Sequence, residues 1–481
     1  MLRTPTIILA LFTSLVWQTV PVYAVKLPDL GDESAAAISP AEERKLGEDF
    51  MRKARRALAF VDDAELNTYI QSLGQKLVAQ SDNPQQAFRF FIINDASINA
   101  FAVPGGFIGV HTGLILNTQS EAELASVLAH EIAHVTQRHI PRMISEAKRT
   151  SIPTMAAILA GILLASSGQQ GGGAAIALTT ATVAQRGINF TRAFEEEADR
   201  IGMGILAASD FDPRAMPAFF ERMQSANRYN ETSLPEFLRT HPVTTNRIAD
   251  SRNRAERYPY RQTADSSDFL HVRAKIRALT TTGDPGEIAK GFKANLVQGK
   301  YRDADAERYG YTLALLRDRQ LQAARREIRK LIRRRPNKPS HRIVQAEIEM
   351  AAEKYNDALA IYAAAYKKHP AYQPLVRHYA SALLKTGNAR KAKKLLKSAL
   401  RRQSDDPALY KMLAQAAGGT GSRAEAHRAF AEYYYLNGNP EAAIEQLQIA
   451  SRYAGDNFYL QASLEARIQA IKEEIALYQG N

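Results

Sequence analysis

The sequence predicts a mostly α-helical protein in two parts, with one small β-sheet in the first part. Three observations support this prediction. A chain of 481 residues is too long for one ordinary hydrophobic core. Apolar residues recur at helical spacing along most of the chain, and short β-rich runs are found between residues 88 and 110. In the last third, proline and glycine landmarks recur at the interval of a helix-pair repeat.

The composition is that of a folded protein without thiol chemistry. Apolar residues make up 45% of the chain and charged residues 23%, as in ordinary globular proteins. The absence of cysteine excludes disulfide scaffolds, thiolate zinc sites, cysteine nucleophiles and a lipid-anchored N-terminal cysteine. Histidine and carboxylate side chains are the good metal ligands that remain.

The first 24 residues have the parts of an export signal. Arg3 gives a positive start, residues 7–16 form a short apolar core, and Val22-Tyr23-Ala24 place small residues before a cleavage point. An uncleaved membrane anchor is the alternative, but polar residues and Pro21 interrupt the apolar run well short of a comfortable span. We therefore expect cleavage after Ala24 and export of the mature chain.

The chain is basic, with a formal net charge of +13, and its Lys and Arg residues are concentrated between residues 300 and 402. Nucleic acid is the usual partner for such a charge. Export and the lack of a recognisable nucleic-acid motif argue against that partner. Solvated helix faces are the preferred interpretation, and weak attraction to acidic partners or to the phosphates of a membrane surface is the alternative.

Two amphipathic helices over residues 46–78 are followed by the predicted sheet. Residues 88–93 are a short β-rich run, and Pro104-Gly105-Gly106 lies between two extended pieces, which predicts a hairpin. The order of strand, hairpin and helix places a sheet edge beside the next helix, where an extended peptide could add as a strand. A purely structural sheet is an equal alternative.

The pentapeptide His130-Glu131-Ile132-Ala133-His134 lies in the next predicted helix. Ser120 followed by Glu123 predicts a capping box at the start of this helix, and Pro141 predicts its end. Two histidines four residues apart share one helical face and can reach one metal ion. Glu131 lies about 100° round the helix, beside that ion, where it can take a proton from water. A chance match on an amphipathic helix is the alternative.

Residues 152–184 form two apolar arms around a glycine-rich turn at residues 169–173. Each arm is too short to span a bilayer. We expect a helical hairpin that packs over the cleft or dips into a membrane surface, with plain core packing as the alternative.

The acidic run Glu195-Glu196-Glu197-Ala198-Asp199 is the expected source of a third metal ligand. A catalytic zinc ion needs three protein ligands and one open position for water. Glu195 and Asp199 share a helical face, so Glu195 can bind the metal while Asp199 orients a ligand histidine. Spacing alone does not choose among the three glutamates, and a solvated acidic helix start is the alternative.

The spacing of these motifs resembles the integral-membrane and periplasmic zinc metallopeptidases of the HtpX and CAAX-protease type. The resemblance runs from about residue 42 to the C-terminus and includes residues 99–106 ahead of the metal helix. It implies one Zn²⁺ ion per chain, with His130, His134 and Glu195 as its ligands. It also gives Asp199 a proton-donor role, although a carboxylate beside a ligand histidine is better suited to orienting it.

The same resemblance covers Thr240-His241-Pro242 and Arg247. His241 could stabilise a developing oxyanion, or it could occupy the open zinc position and hold the enzyme off. Arg247 could then bind the same oxyanion or a substrate carbonyl. A structural histidine in a loop is the alternative for His241. Neither His111 nor His139 is expected to be a ligand, because His139 is five residues past His134 and should face elsewhere.

The last third of the chain resembles tetratricopeptide repeats. Pro336 and Pro370 are 34 residues apart, Pro374 and Pro407 are 33 apart, and short amphipathic helices alternate between them. The pattern is degenerate, because the early tryptophan of the repeat is absent. Stacked helix pairs make a curved groove that binds protein, and a structural cap is the alternative.

We therefore predict a signal peptide at 1–24, a helical zinc metallopeptidase domain with a small β-sheet at 25–280, and a tetratricopeptide-repeat superhelix at 285–481. The resemblance implies a zinc-dependent endopeptidase and chaperone in the periplasm of a Gram-negative bacterium. Its expected substrates are misfolded or stalled outer-membrane β-barrel proteins, and its repeats should dock to the β-barrel assembly machinery, with possible peripheral membrane contact and no nucleic acid. A mainly non-proteolytic chaperone or scaffold with a gated zinc site is the alternative.

Overall fold

A computed structural model describes residues 38–146, 192–229, 236–280 and 283–479. The predicted export signal at 1–24 and the predicted apolar hairpin at 152–184 lie outside these residues. Among the described helices, none combines the length and the apolar composition that crossing a membrane requires. Helices dominate the described chain and one small sheet accompanies them, so the predicted fold class is confirmed.

The elements of the chain up to residue 280 surround the sheet. They are α1 (Pro40–Ala57), α2 (Ala64–Val78), β1 (Arg89–Ile93), β2 (Ala100–Val103), β3 (Phe107–His111), α3 (Thr112–Asn117), α4 (Glu121–Thr136), α5 (His139–Glu146), α6 (Arg192–Ala208), α7 (Ala215–Tyr229), α8 (Glu236–Thr240), α9 (Thr245–Ala255) and α10 (Ser267–Thr280).

The chain after residue 283 is described as a succession of helices. They are α11 (Pro285–Gln298), α12 (Ala304–Arg317), α13 (Leu321–Arg334), α14 (Pro339–Ala351), α15 (Tyr355–Lys368), α16 (Gln373–Lys385), α17 (Ala389–Leu400), α18 (Pro407–Gly419), α19 (Arg423–Leu436), α20 (Pro440–Arg452) and α21 (Phe458–Gln479).

The sheet has the strand order β1-β3-β2, with β1 parallel and β2 antiparallel to β3. The predicted hairpin is β2–β3, and its turn places Gly105 at φ 80° and Gly106 at φ 83°, where a side chain would be strained. Side chains alternate between the two faces of the sheet. On one face Phe91, Phe101 and Phe107 pack against Phe50 of α1. The other face belongs to the main core with α2 and α4.

Helix α4 begins where the sequence predicts, but it ends earlier. The hydroxyl of Ser120 accepts a hydrogen bond from the Glu123 N–H at 3.2 Å, which caps the first turn. The helix ends at Thr136 because Arg138 adopts a positive φ of 52°. The prediction that Pro141 ends the helix is wrong, since Pro141 lies in the first turn of α5, where proline is tolerated.

Helix α10 contributes side chains to two hydrophobic cores, one around the sheet and one with α11 and α12. Phe269, Val272 and Ile276 pack into the core around the sheet, whereas Ala274 and Ala278 pack with α11 and α12. A buried ion network reinforces this junction, since Lys275 Nζ lies 2.9 Å from Asp63 Oδ2 and 2.8 Å from Glu65 Oε2. The helices after residue 283 are therefore packed directly onto α2 and α10.

The helix pairs have a common turn that repeats every 34 residues. Arg319, Glu353, Gly387, Gly421 and Gly455 all adopt a positive φ, and each follows the previous one at that interval. Each lies just after the first helix of a pair, where the left-handed conformation reverses the chain. This constant interval confirms the helix-pair repeat that the proline landmarks predict.

Replacing Arg319 or Glu353 by glycine is expected to stabilise the repeat region. Both side chains are exposed, and the left-handed conformation costs a non-glycine residue roughly 1–2 kcal/mol. Because glycine loses more entropy on folding, we expect a net gain of about 0.5–1 kcal/mol per substitution in urea unfolding. Arg319→Ala is the matched control, and an equal gain from that variant would contradict the backbone explanation.

Candidate active site

Helices α4 and α6 approach each other closely at the two histidines of the pentapeptide. At Gly202 of α6, an added Cβ would lie 3.0 Å from the backbone nitrogen of His130. Glycine therefore allows the backbone of α6 to lie directly against α4. This contact brings Glu195, two turns earlier on α6, to the face of α4 that carries His130 and His134.

Four buried side chains converge at this place: His130, His134, Glu195 and His241. Each offers one nitrogen or oxygen, and these four atoms all lie within 4.8 Å of one another. Glu195 Oε1 is 3.4 Å from His134 Nε2 and 3.0 Å from His241 Nδ1. The two Nε2 atoms of His130 and His134 are 2.9 Å apart. The cluster is less than 4% exposed at every position.

The donor set fits a metal ion of the zinc type. Imidazole nitrogens and one carboxylate are ordinary zinc ligands. His130 Nδ1 lies 3.0 Å from Asp199 Oδ1, a pairing that lets Nε2 face the other three side chains of the cluster. Burial alone would lower the pKa of His130, but the carboxylates of Asp199 and Glu195 raise it to about 9. The pocket therefore favours a positive charge.

Asp199 and Arg247 contact the cluster through His130 and Glu195. The guanidinium of Arg247 donates to both oxygens of Asp199, at 2.7 and 2.8 Å, and its Nη1 lies 2.8 Å from Glu195 Oε2. Burial would raise the pKa of Asp199, but Arg247 lowers it below its ordinary value, so the carboxylate is charged. Asp199 therefore contacts both His130 Nδ1 and Arg247, a geometry that favours an orienting role over proton donation.

Arg247 is placed differently from the expected contact with substrate. Its side chain is 2% exposed and also donates to the carbonyl of Pro242 at 2.8 Å. Two carboxylates and one carbonyl occupy its donors, and its guanidinium lies over the ring of Phe220. To bind a substrate carbonyl, Arg247 would have to leave these partners. The geometry favours a positioning role.

Glu131 lies beside the four converging side chains and is equally buried. Its Oε1 lies 3.4 Å from His241 Nε2, and the backbone of Ala102 in β2 lies close to the carboxylate. Burial raises the pKa of Glu131 above its ordinary value. A buried carboxylate with a raised pKa next to a metal pocket is suited to taking up and releasing a proton.

His241 is the fourth side chain of the cluster and lies between His130 and Glu131. Its ring stacks on Phe237 of α8, with centroids 5.0 Å apart. Helix α8 is in turn held to the loop before β2, because the Phe237 N–H donates to the carbonyl of Ile98 at 3.0 Å. Nδ1 of His241 lies 3.3 Å from His130 Nε2, so this ring occupies the side of the cluster on which Glu131 lies.

Comparison with known proteins identifies the family of this chain. Residues 64–255 match Peptidase family M48, and residues 349–416 match the tetratricopeptide repeat. The chain is 33% identical to the beta-barrel assembly-enhancing protease of Escherichia coli (strain K12), over 95% of this chain and 94% of the relative. The chain belongs to the beta-barrel assembly-enhancing protease family. It is a metalloendopeptidase.

Other relatives extend the same match. The chain is 35% identical to the putative beta-barrel assembly-enhancing protease of Vibrio cholerae serotype O1, over 93% of this chain and 92% of that protein. It is 32% identical to the mitochondrial metalloendopeptidase OMA1 of Schizosaccharomyces pombe, over 37% of this chain and 50% of the relative. Members of the beta-barrel assembly-enhancing protease family thus match nearly the whole chain, whereas OMA1 shares a smaller part.

The structure separates the three consecutive glutamates of this family member. Glu195 is buried among the histidines, whereas Glu196 is exposed. Glu197 points to another group, since its Oε2 lies 2.7 Å from Arg142 Nη1 and 3.1 Å from His139 Nε2. Among the three, the geometry favours Glu195 as the metal ligand.

His139 is a site residue that sequence reasoning missed. It was expected to face away from His134, yet the two Nδ1 atoms are 2.8 Å apart. The positive φ of Arg138 turns the chain back after α4, so helical spacing gave no signal for this contact. Burial lowers the pKa of His139 to about 4, so this ring is neutral. His111, as expected, lies outside the cluster, with Nδ1 2.7 Å from Ser97 Oγ.

Asp199→Asn is expected to weaken metal binding without unfolding the protein. The amide keeps the shape of the carboxylate but loses the charge that holds His130 Nδ1 and Arg247. Loss of such an outer partner lowers metal affinity by roughly 10- to 100-fold. Zinc titration against a competing chelator would measure this change. Asp250→Asn, on α9 away from the cluster, is the matched control, and equal affinities in the two variants would contradict the orienting role.

Proposed function

We propose that this metalloendopeptidase uses zinc and acts in the periplasm on misfolded or stalled outer-membrane β-barrel proteins, which it also assists as a chaperone. The observation that supports this function best is the buried group His130, His134 and Glu195 beside Glu131. The substrate class is taken from the name of the relatives, which match the chain over almost its full length. The repeats after residue 283 would then dock to the assembly machinery.

His130, His134 and Glu195 would hold the zinc ion. When bound, zinc polarises a carbonyl and lowers the pKa of water towards neutrality. Glu131 would take the proton of the attacking water and later pass it to the leaving amine. Asp199 would keep His130 in the tautomer that presents Nε2, and Arg247 would hold both carboxylates in place.

The edge of β2 is a suitable site for an extended substrate. The His111 N–H donates to the Asn99 carbonyl at 3.0 Å, which fixes the alternation of the β2–β3 ladder. Ala100 and Ala102 therefore turn their backbone groups away from β3. The backbone of Ala102 lies close to the Glu131 carboxylate. A peptide that pairs with this edge would pass close to the catalytic carboxylate.

The experiment that tests the proposed function compares an unfolded outer-membrane β-barrel protein with the same protein folded in detergent micelles. The purified full chain should degrade the unfolded form and spare the folded one. The chelator 1,10-phenanthroline should abolish this degradation, and added zinc should restore it. Degradation that persists in the chelator would overturn the zinc mechanism. Equal degradation of the folded form would overturn the substrate class.

The second candidate function is a mainly non-proteolytic chaperone or scaffold with a gated zinc site. One observation favours it. His241 supplies a fourth donor to the cluster and lies between the ligands and Glu131, where an attacking water would enter. A fourth protein ligand closes the position that a catalytic zinc keeps open.

His241→Ala distinguishes the two roles that the sequence leaves open for this side chain. If the ring blocks the open position, its removal should raise proteolysis of an unfolded substrate several-fold. We expect this rise, because Nδ1 of His241 lies within the donor set. Slower proteolysis would support the oxyanion role instead, and unchanged activity would remove His241 from the site. His369→Ala, at the end of α15, is the matched control.

The division of labour follows the proposed domain boundaries. A signal at 1–24 would direct export, residues 25–280 would carry the peptidase, and residues 285–481 would form the repeat domain. Helix α10 ends at Thr280 and α11 begins at Pro285, so the proposed boundary between the peptidase and the repeat domain falls between two helices. Because α10 packs into both cores, the two domains would act as one unit.

A further inference from the structure

The second helices α13 and α17 carry exposed cations that the peptidase site does not use. Arg326, Arg329 and Arg333 lie three and four residues apart on α13, and therefore share one face. Arg390, Lys394 and Arg401 lie four and seven residues apart along α17 and its C-cap, and they also share one face. We call these six side chains the outer basic surface.

The outer basic surface lacks counter-charges. Within the described residues, none of its six side chains forms an ion pair. Glu327 is the acidic residue of α13, and it already pairs with Lys330 at 2.7 Å and with Arg308. Helix α17 has no acidic residue. Like charges held this close repel one another, so the surface favours a partner that supplies negative charge.

The first helices of the pairs face the peptidase region. The outer basic surface lies on second helices and therefore faces a different direction. Tyr309 of α12 donates to Glu65 of α2 at 2.7 Å, and His341 of α14 lies 3.2 Å from His271 of α10. Arg377 of α16 pairs with Asp62, just before α2. The outer basic surface belongs to α13 and α17, the second helices of their pairs. A partner bound there would leave the inner side free.

We propose that the outer basic surface docks the protein onto an anionic phospholipid membrane. A fluid layer of phosphates can match long, unpaired cations without a fixed geometry. A protein partner would call for an aromatic or apolar anchor at the centre of the contact. Helices α13 and α17 contain no aromatic residue. Between them, α15 exposes only small side chains in its middle turns, those of Ala360, Ala363 and Ala364.

The outer basic surface would hold the enzyme at a membrane in a defined orientation. Docking through α13 and α17 turns the inner helices and the zinc cluster away from the lipid. The active site would then be presented to proteins that arrive at that membrane. This inference stands apart from the proposed substrate class, because it rests on α13 and α17 and on none of the cluster residues.

Sedimentation of the full chain with lipid vesicles tests the proposal. Vesicles of equal parts phosphatidylglycerol and phosphatidylcholine should bind the chain, and vesicles of pure phosphatidylcholine should not. Binding should weaken strongly as salt is raised, because the attraction is between exposed charges. Failure to bind the anionic vesicles, or equal binding to the neutral ones, would overturn the proposal.

Two triple variants locate the contact. One replaces Arg326, Arg329 and Arg333 by glutamine, and the other replaces Arg390, Lys394 and Arg401. Each cation near an anionic surface is worth roughly five-fold in partition, so we expect each triple to weaken vesicle binding at least 10-fold. Thermal unfolding should be unchanged, because all six side chains are exposed.

A charge-matched control separates location from net charge. It replaces three exposed cations elsewhere, Arg257, Lys293 and Lys300, by glutamine. This control should bind anionic vesicles as the parent does, and an equal loss in control and triples would overturn the proposal. Binding of poly-glutamate that depends on the six residues, without vesicle binding, would assign the surface to an acidic protein and would also overturn it.

Discussion

Glu131→Gln is expected to abolish proteolysis while leaving metal binding and stability intact. Positioned proton transfer contributes typically 10²- to 10⁴-fold to a rate, so we expect a loss of roughly that size in the cleavage of an unfolded protein. Glutamine has nearly the same shape as glutamate and fits the same buried position. It cannot take a proton from water, which is the proposed step of Glu131.

Stability is the built-in check on this variant. Burial raises the pKa of Glu131, which means that the fold disfavours its charge. Removing that charge should therefore not destabilise the protein, and thermal unfolding should be unchanged or slightly higher. Cleavage at the parent rate would refute the assignment of Glu131 as the base. Loss of bound metal in this variant would move Glu131 from proton transfer to metal binding.

The same variant can separate the two proposed activities. If Glu131→Gln loses cleavage yet still supports the assembly of outer-membrane β-barrels, proteolysis and chaperone action are distinct functions of one chain. If both disappear together while metal and stability are retained, assembly depends on cleavage. Either outcome leaves the metalloendopeptidase class in place, since that class rests on the family.

Much of the fold was predictable from local signals in the sequence. Pro104-Gly105-Gly106 between two extended runs predicts the hairpin because both glycines take a positive φ. Ser120 predicts the start of α4 because its hydroxyl can cap the first turn. These signals succeed because each feature is formed by residues that are close together in the chain.

The regularity of the repeats was only partly visible. Gly387, Gly421 and Gly455 mark the 34-residue turn by residue type, because glycine adopts the left-handed conformation at little cost. At the two earlier turns, Arg319 and Glu353 take the same conformation. Residue type gives no such signal there, since these residues rarely adopt a positive φ. The surrounding helix packing imposes the turn.

The side chains that converge at the candidate site could be predicted from the sequence, but the contacts that support them could not. Helical spacing brings His130 and His134 together on α4, whereas Glu195 joins them through the packing of α6 at Gly202. Contacts that depend on such packing do not recur at a fixed interval in the sequence. For that reason the sequence could not choose among Glu195, Glu196 and Glu197, and it did not place His139 against His134.

Arg247 shows the same limit from another direction. Its position in the chain, near His241, invites a role towards substrate. In the folded protein the N–H groups of its guanidinium contact Asp199, Glu195 and Pro242 instead. A buried arginine between two carboxylates is fixed by charges that come from a different helix. Only the three-dimensional arrangement reveals this pairing.

Metal analysis of three variants tests the proposed ligand set of the metal ion most directly. Glu195→Gln, Glu196→Gln and Glu197→Gln each change one neighbouring glutamate of α6 by the same small chemical step. The full chain and the variants at Glu196 and Glu197 should each retain one zinc per chain. Glu195→Gln should lose it, because removal of a direct ligand exceeds the roughly 10- to 100-fold effect of an outer partner.

This comparison contains its own controls, because Glu196 is exposed and Glu197 pairs with Arg142. Thermal unfolding of all three variants would show that each has folded. Loss of zinc in the Glu195 variant alone is the predicted result. Full zinc content in Glu195→Gln, or loss of zinc in the Glu196 or Glu197 variant instead, would contradict the site described here.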